Sequence, residues 1–535
     1  MTDVMSTCAP GDTPSGRGAQ DTGRTIRVDW LLPVAVTAVV LLVAMLTITP
    51  WPVGAFEDDA IYTVLAKSLA TGAGYRMINL PGAPHATHYP PGYPLVLAVL
   101  WRLNPTFPDN IVLFKFANAA FLALAAFFTF RFARLRLALS RAAAAMAAIA
   151  GTLSIVVLLV TGVVLSEPLF MALLLGALAL TERSAESGHV GRAFASGLLL
   201  GALALVRTLG AVAIPAALVA MLLRRHYRAA FALAGASALL LVPWQLWVQM
   251  YQHEIPTLLM GKYGAYGPWL ADAYREGGSA FGRAVVAINV RRLEGVVGYV
   301  FMPVTPAWPR LLAFVALAGL TLAGLLRIVR RNPVTAGFVA LYLVVVLLWP
   351  FEPDRFLLAI WPVLGLLSAV ALRDLWRWSP SATLGRVMRA APLAVSAAVV
   401  VGFTVYNARG YRHQWWASVQ RDAGRDAKPI AEWVVRHTAM TDVLSTEHDL
   451  IVYLYTGRQA IPTSTFLARE RVRPLSPAEQ LATVRALLET YRVRYYITSW
   501  GPAITTANQL AALQPPLLRP AGNTSNALVF ERINP

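Results

Sequence analysis

The strongest constraint on this chain is the alternation of long apolar runs with short arginine clusters. Leu, Ala and Val gather into stretches of ~15–25 residues, long enough to cross a hydrocarbon core ~30 Å thick as helices. Of 535 residues, 57% are hydrophobic and 14% charged. The charged share is close to half of the ~25% usual in a soluble domain. A soluble enzyme, a disordered protein and a repeat array do not fit that pattern. The expected fold class is a polytopic α-helical membrane protein.

Net charge is +18, from 46 Lys and Arg against 28 Asp and Glu. The arginines stand at the ends of apolar runs rather than along one amphipathic face. They read as positive flanks holding loops on the cytoplasmic side, and no nucleic-acid partner is expected. The one cysteine, Cys8, lies in a Gly/Ser/Pro-rich tail, which rules out an intrachain disulfide and a Cys-based metal site. Residues 1–29 read as a disordered cytoplasmic tail. No small-residue cleavage site follows it, so the first apolar run is expected to be a retained span.

Apolar runs fall at 30–50, 111–130, 142–161, 162–181, 193–206, 210–223, 229–249, 311–326, 334–350, 357–372 and 390–406. Parity decides the two ambiguous stretches. Only if 193–223 is two short helices, with Arg207 at their outer turn, do Arg224, Arg225, Arg228, Arg327, Arg330, Arg331, Arg373, Arg377, Arg386 and Arg389 all stay inside. The same reasoning divides 142–181 beside Glu167. About eleven spans result, with the amino terminus inside and large external loops at 51–110 and 250–310. Residues 407–535 read as a small extracytoplasmic α/β domain. It has a capping box at Ser476-Pro-Ala-Glu479 and β-rich runs at 442–446, 494–499 and 527–531.

Four segments carry candidate chemistry. In Glu57-Asp58-Asp59-Ala-Ile-Tyr62, the three acids open a short amphipathic helix expected to lie at the interface up to Gly72. The alternative is plain dipole placement at a helix amino end. His85-Ala-Thr-His88-Tyr89-Pro-Pro-Gly-Tyr93-Pro reads as an extended, rigid segment. Its histidines could join Asp58 or Asp59 on a metal or be ordinary loop residues. In Ser166-Glu167-Pro168, Glu167 is an acid at the outer end of an apolar hairpin, a functional candidate by its cost of insertion. The competing reading is a helix cap at Ser166. Arg207, and Arg355 in Pro353-Asp-Arg-Phe356, are outer-side arginines suited to a phosphate. For Arg355 the bland alternative is a local pair with Asp354 or Glu352. Lys262, Tyr263, Tyr266, Arg275, Arg291 and Arg292 are weaker phosphate or sugar candidates.

Four motifs in order, Asp58-Asp59-x-x-Tyr62, Tyr89-Pro-Pro-Gly-Tyr-Pro94, Ser166-Glu-Pro-Leu-Phe170 and Asp354-Arg-Phe-Leu-Leu358, give the chain a family likeness. It resembles the GT-C integral-membrane glycosyltransferases, specifically the bacterial aminoarabinose-transferase and protein O-mannosyltransferase group. The resemblance implies a polyprenyl-phosphate-linked sugar donor and inverting transfer to a lipid, glycan or protein acceptor on the outer face of the cytoplasmic membrane. Asp58 matches the family's first-loop acid, its general base; Asp59 matches the neighbouring acid and Glu167 the second-loop acid. Some relatives hold a divalent metal near the paired acids, which here would fall to Asp58, Asp59 and His88. Arg207, Arg355 and Lys262 become the donor-phosphate candidates, and Tyr62, His85, His88, Tyr89 and Tyr93 the substrate loop. The rival class is a transporter or flippase for a lipid-linked saccharide. It should carry internal repeats and midplane polar residues. Neither is visible in the sequence.

Overall fold

The structure, a computed structural model, describes residues 21–381 and 383–533, with the backbone alone for 21–29 and 384. Cys8 and the tail as far as residue 20 lie outside the described residues. Helices dominate. In chain order they are α1 (Asp21–Leu46), α2 (Asp58–Ala70), α3 (Gly92–Leu103), α4 (Asn110–Leu135), α5 (Arg141–Thr152), α6 (Ile155–Gly162) and α7 (Glu167–Ser187). Next come α8 (Val190–Val206), α9 (Ala213–Leu223), α10 (Tyr227–Tyr251), α11 (Met260–Tyr263), α12 (Tyr266–Phe301), α13 (Ala307–Ile328) and α14 (Pro333–Leu348). The remainder are α15 (Pro353–Leu358), α16 (Trp361–Arg377), α17 (Thr383–Arg412), α18 (Ser418–His437), α19 (Asp449–Thr456), α20 (Pro477–Thr490) and α21 (Gly501–Ala511).

Among the described residues five helices are long and apolar enough to cross a membrane: α4, α7, α10, α13 and Gly385–Arg412 of α17. The pair α5–α6 would be a sixth, bent by 51°. That bend has a cause. The Ile155 N–H donates to Asn407 Oδ1 at 2.7 Å and the Leu153 carbonyl accepts from Tyr411 Oη at 2.7 Å, so α17 takes the bonds that would continue the helix. Leu31, Phe231, Leu239, Val315, Leu326 and Val401 stand exposed on the apolar helices, a surface that suits lipid rather than water. Arg207 sits in extended backbone between α8 and the turn that leads to α9, so this stretch is two helices.

Two expectations need correcting. Helix α2 does not lie half-exposed as an interfacial amphipathic helix. Residues from Asp59 to Ala66 are buried, because α3 and α19 cover the side that was expected to be polar. Tyr93 and Pro94 are not extended; they belong to the first turn of α3, where proline is tolerated because those N–H groups have no helical partner. Residues 250–310 are mostly helical, with α12 kinked at Gly278, where φ is 50°. The second half of α12 reaches the ends of α14 and α17: Asn289 Nδ2 donates to the Trp349 carbonyl at 2.8 Å, and Phe301 stacks on Phe403.

After α17 the chain forms a five-stranded mixed sheet flanked by helices. The strands are β1 (Leu444–Thr446), β2 (Ala460–Ile461), β3 (Tyr495–Thr498), β4 (Leu518–Asn523) and β5 (Leu528–Arg532), in the order β2-β1-β3-β5-β4. β1 pairs parallel with β2 and β3, while β5 is antiparallel to both β3 and β4. The capping box of α20 is present: Ser476 N donates to Glu479 Oε2 at 2.8 Å and Glu479 N to Ser476 Oγ at 3.3 Å. The unit is fastened to the first loop. Ala460 N donates to the Asn79 carbonyl at 3.1 Å and Gln459 Nε2 to the Leu80 carbonyl at 3.0 Å. Lys115 Nζ, buried on α4, donates to the Thr49 and Trp51 carbonyls at 2.8 Å and to Gln420 Oε1 at 2.9 Å.

At Gly261 of α11 the backbone approaches the unit so closely that an added Cβ would lie 1.5 Å from the Phe466 carbonyl oxygen. Gly261→Ala is therefore expected to destabilise the fold by about 1–3 kcal/mol through overpacking. Gly267→Ala, whose methyl would meet nothing within 4 Å, should leave stability unchanged or raise it. Thermal unfolding of the two variants in detergent checks both.

Candidate active site at the helix ends

Four charged side chains from four separate elements meet at one end of the bundle. Asp58 opens α2, Glu167 opens α7, Arg207 follows α8, and Arg355 lies in α15. Glu167 Oε1 accepts from Arg207 Nη1 at 2.8 Å and from Arg355 Nε at 2.9 Å. The same Arg355 donates from Nη2 to Asp58 Oδ2 at 2.5 Å. Two carboxylates and two guanidinium groups thus form a neutral chain, Asp58–Arg355–Glu167–Arg207. Arg355 takes neither of its sequence neighbours; Glu352 and Asp354 both face Arg292, at 2.9 and 3.4 Å.

Accessibility divides the quartet. Glu167 is fully buried and Arg207 is 9% exposed, whereas the Asp58 and Arg355 side chains are 24% and 23% exposed. An incoming molecule can therefore touch Asp58 and Arg355, while Glu167 and Arg207 stand behind them and hold Arg355 in place. Glu167 Oε2 has no hydrogen-bond partner among the described residues. Ser166 precedes α7 but makes no side-chain cap. Its Oγ accepts from Arg207 Nη1 at 3.1 Å and lies 3.2 Å from Tyr62 Oη, so the cap reading of Ser166 does not hold.

Aromatic side chains wall the site. Tyr89 Oη donates to Asp58 Oδ1 at 2.6 Å. Tyr62 packs edge-on against Tyr89 and Tyr93, with centroids 5.1 and 5.0 Å away, and Tyr93 Oη donates to Asn118 Oδ1 at 3.0 Å. Burial pushes the Asp58 carboxyl up. The Arg355 charge, the Tyr89 and Arg355 hydrogen bonds and the more distant Arg207 outweigh it and hold the group below the usual carboxylate range.

Asp59 is turned away from the quartet. Its carboxylate accepts from the backbone N–H groups of Gly54, Ala55 and Phe56 at 2.6, 3.2 and 3.0 Å. Burial raises its pKa, an effect partly offset by those three bonds. It shapes the loop that presents Asp58. Between them Glu57 adopts φ 59°, strained for a residue with a side chain. Lys262 does not reach the quartet either. It donates to Asp449 Oδ1 at 2.9 Å and lies 3.5 Å from Glu57 Oε2, with Tyr263 Oη donating to Asp449 Oδ2 at 2.6 Å.

The two histidines part company. His85 bonds Glu254, with Nδ1 to Oε1 at 2.8 Å, and stacks on Tyr251. His88 is buried, with Nδ1 donating to the Gly264 carbonyl at 2.6 Å and its ring 4.1 Å from that of Tyr266. Asp58, Asp59 and His88 therefore do not converge. Among the described residues no group of three or more His, Cys, Asp or Glu side chains is placed to hold a metal ion. Asp449 is the partner that sequence reasoning missed. No local pattern marks it, since its bonds run to residues almost 190 positions away.

No family model matches the sequence, and no curated protein matches it. Solved structures do. ArnT from Cupriavidus metallidurans bound to undecaprenyl phosphate is similar with a TM-score of 0.55 at 15% identity, over 96% of this chain and 98% of that one. The apo state of the same protein gives 0.51 at 15% identity, with the same coverage. The chain has the ArnT fold. It is the fold that the four-motif resemblance implied. Together with the apolar helices, the ArnT fold makes this a multi-pass membrane protein.

Two outcomes follow from the site's electrostatics. Glu167→Gln should destabilise the protein by about 3–5 kcal/mol, because Arg207 and Arg355 lose a buried counter-charge, and Asp58→Asn by distinctly less. Burial pushes the His88 imidazole down to about 4, against a smaller upward pull from its bond to Gly264. The unfolded chain takes up that proton near pH 6.5 and the folded chain only near 4. Stability should therefore fall by up to about 3 kcal/mol as pH drops through that window and stay flat above it. His88→Asn should remove that part of the acid limb in a pH series of melting curves.

Proposed function

We propose that this chain is a membrane glycosyltransferase that moves a sugar from a polyprenyl-phosphate donor to an acceptor at the quartet. The observation that carries the reading is the pairing of Asp58 with Arg355, the two members open to an incoming molecule. A base for an acceptor hydroxyl and a fork for a phosphate lie side by side. The ArnT fold supports it, as does the undecaprenyl phosphate bound to that protein.

Eleven spans are part of the proposal: Trp30–Leu46, α4, the bent pair α5–α6, α7, α8, Thr208–Leu223, α10, α13, α14, α16 and Gly385–Arg412. An odd number puts the termini on opposite sides. With the arginine clusters after α4, α9, α13 and α16 cytoplasmic, the amino terminus is inside. The quartet and the sheet unit are then on the outer face of a bacterial inner membrane. The quartet stands at helix ends, not at the midplane where a transporter would place its substrate.

The chemistry follows from the charges. The acceptor O–H approaches Asp58, which takes the proton as the oxygen bonds to the sugar's anomeric carbon. On the opposite side of that carbon the bond to the phosphate oxygen breaks, and the polyprenyl phosphate leaves with the electron pair and one more negative charge. Arg355 receives that charge; it needs no proton transfer, and its Nη1 forms no hydrogen bond within the described residues. Inversion at the anomeric carbon results. In the resting site Arg355 quenches the basicity of Asp58. A bound phosphate competes for the guanidinium and frees the carboxylate, so the base is released only when the donor is present. Glu167 and Arg207 are positioning residues that hold Arg355 in reach of both. The acceptor is a lipid, glycan or protein hydroxyl presented from outside.

The test uses the detergent-purified protein with radiolabelled polyprenyl-phosphate sugars, a panel of acceptors and a count of released polyprenyl phosphate. Asp58→Asn should lower turnover by ~10²–10⁴-fold with the fold intact. Arg355→Lys keeps the charge but loses the fork, and should raise the KM for donor. Wild-type turnover in Asp58→Asn would remove Asp58 as the base. Donor lipid crossing vesicles without release of polyprenyl phosphate would favour the transporter.

A further inference from the structure

At the opposite end of the same helices lies a second charged site. Helix α7 begins at Glu167 and carries Glu186 in its last turn; Arg224 follows α9, and Asn332 precedes α14. At 1.5 Å per residue the 21 residues of α7 separate the two ends by roughly 30 Å, about one hydrocarbon core. Here a cavity of about 320 Å³ is lined by Arg136, Glu186, Arg224, Arg330, Arg331 and Asn332, with Leu135 at its edge.

The charges do not cancel. Arg136 is satisfied: it forks onto Glu186 at 3.0 and 2.6 Å, and its Nε donates to Asn332 Oδ1 at 3.1 Å. Glu182, one turn deeper on α7, accepts from the Thr335 N–H at 2.7 Å and its hydroxyl at 2.8 Å, and so faces α14 rather than the cavity. Arg224, Arg330 and Arg331 are left with no acidic partner among the described residues. Arg224 Nη1 is sealed from solvent and has no hydrogen-bond acceptor. A positive-inside bias accounts for arginines at this end of the bundle. It does not account for three that converge on one cavity, or for a buried guanidinium nitrogen without an acceptor. An anion of several oxygens would answer both.

The cavity's surroundings indicate where that anion comes from. The residues flanking it are exposed and apolar: Leu135 at 54%, Leu223 at 79%, Leu326 at 65% and Val329 at 46%. Charged lining beside an exposed apolar flank matches a molecule with an anionic head and hydrocarbon chains. Basic pockets between membrane helices are known to take such headgroups.

We propose that this cavity binds the phosphate of an anionic phospholipid, with Arg224, Arg330 and Arg331 as its ligands. The lipid's chains lie along the apolar flank, and the bound headgroup ties together the ends of α4, α7, α9, α13 and α14. The proposal depends on the membrane bundle alone and not on the glycosyl-transfer reading.

Delipidated protein in neutral detergent, titrated with phosphatidylglycerol, phosphatidylcholine or inorganic phosphate and followed by melting temperature, tests it. Phosphatidylglycerol should raise the melting temperature saturably, and phosphatidylcholine should not. Each of Arg224→Gln, Arg330→Gln and Arg331→Gln should weaken binding roughly five-fold, and the triple variant ~100-fold. Arg386→Gln, outside the cavity, should leave binding unchanged. If the triple variant does not fold, the exposed Arg330→Gln and Arg331→Gln singles decide the matter. A half-saturating phosphatidylglycerol concentration that is unchanged in those variants would place the lipid elsewhere and overturn the assignment. An equal shift with inorganic phosphate would make this a free-phosphate site and overturn the lipid, and no shift with any of the three would overturn the site.

Discussion

A single buried oxygen, Glu167 Oε1, organises this end of the molecule. A carboxylate with no solvent exposure persists as an ion only if cations compensate it, and here two guanidinium groups do so. They come from the turn after α8 and from α15, elements that are remote in sequence. The start of α7 is thereby locked to both. Because Arg355 has a second nitrogen to offer, the same bond network extends to Asp58 on α2. Removing Glu167 leaves two guanidinium charges without their shared buried counter-charge, so this carboxylate holds the arrangement together.

This network also explains the division of labour between adjacent acids. Asp58 and Asp59 are chemically identical and share one helix start, yet their carboxylates point to different tasks. Asp59 fills the backbone N–H groups of residues 54–56 and is thereby consumed in shaping the loop. Asp58 is left facing Arg355 and Tyr89 at the partly open side. The strained backbone at Glu57 leads from that loop into α2, and Lys262 of α11, itself paired with Asp449 of the C-terminal unit, lies 3.5 Å from the Glu57 carboxylate. The sheet unit is therefore a support for the first loop, directly at Asn79 and Leu80 and by way of Lys262 and Tyr263 of α11 at Glu57 and Asn79, as much as a separate layer.

Much was legible beforehand because it depends on periodicity and on local chemistry. The apolar helices, the division at Arg207, the capping box at Ser476 and three of the five strands follow from patterns within about 20 residues. The strands not anticipated are β2, only two residues long, and β4, which contains Pro520 and Gly522; neither carries a β-rich signature. At the site, Asp58, Glu167, Arg207 and Arg355 were all singled out. Lys262, His85 and Asp59 were singled out as well, but their partners are Asp449, Glu254 and backbone N–H groups. A charged residue's type says that it needs a partner and not which one it finds.

The sequence by itself determined that the chain crosses a membrane many times, because hydrocarbon tolerates only long apolar helices and pushes charge to their ends. It determined where charges at those ends are rare enough to matter. Tertiary structure alone decided which of them meet. Asp58 and Arg355 are 297 residues apart, and Glu167 and Arg355 are 188. Ion pairs over such separations are set by how helices pack and which faces they present, information that no local pattern contains.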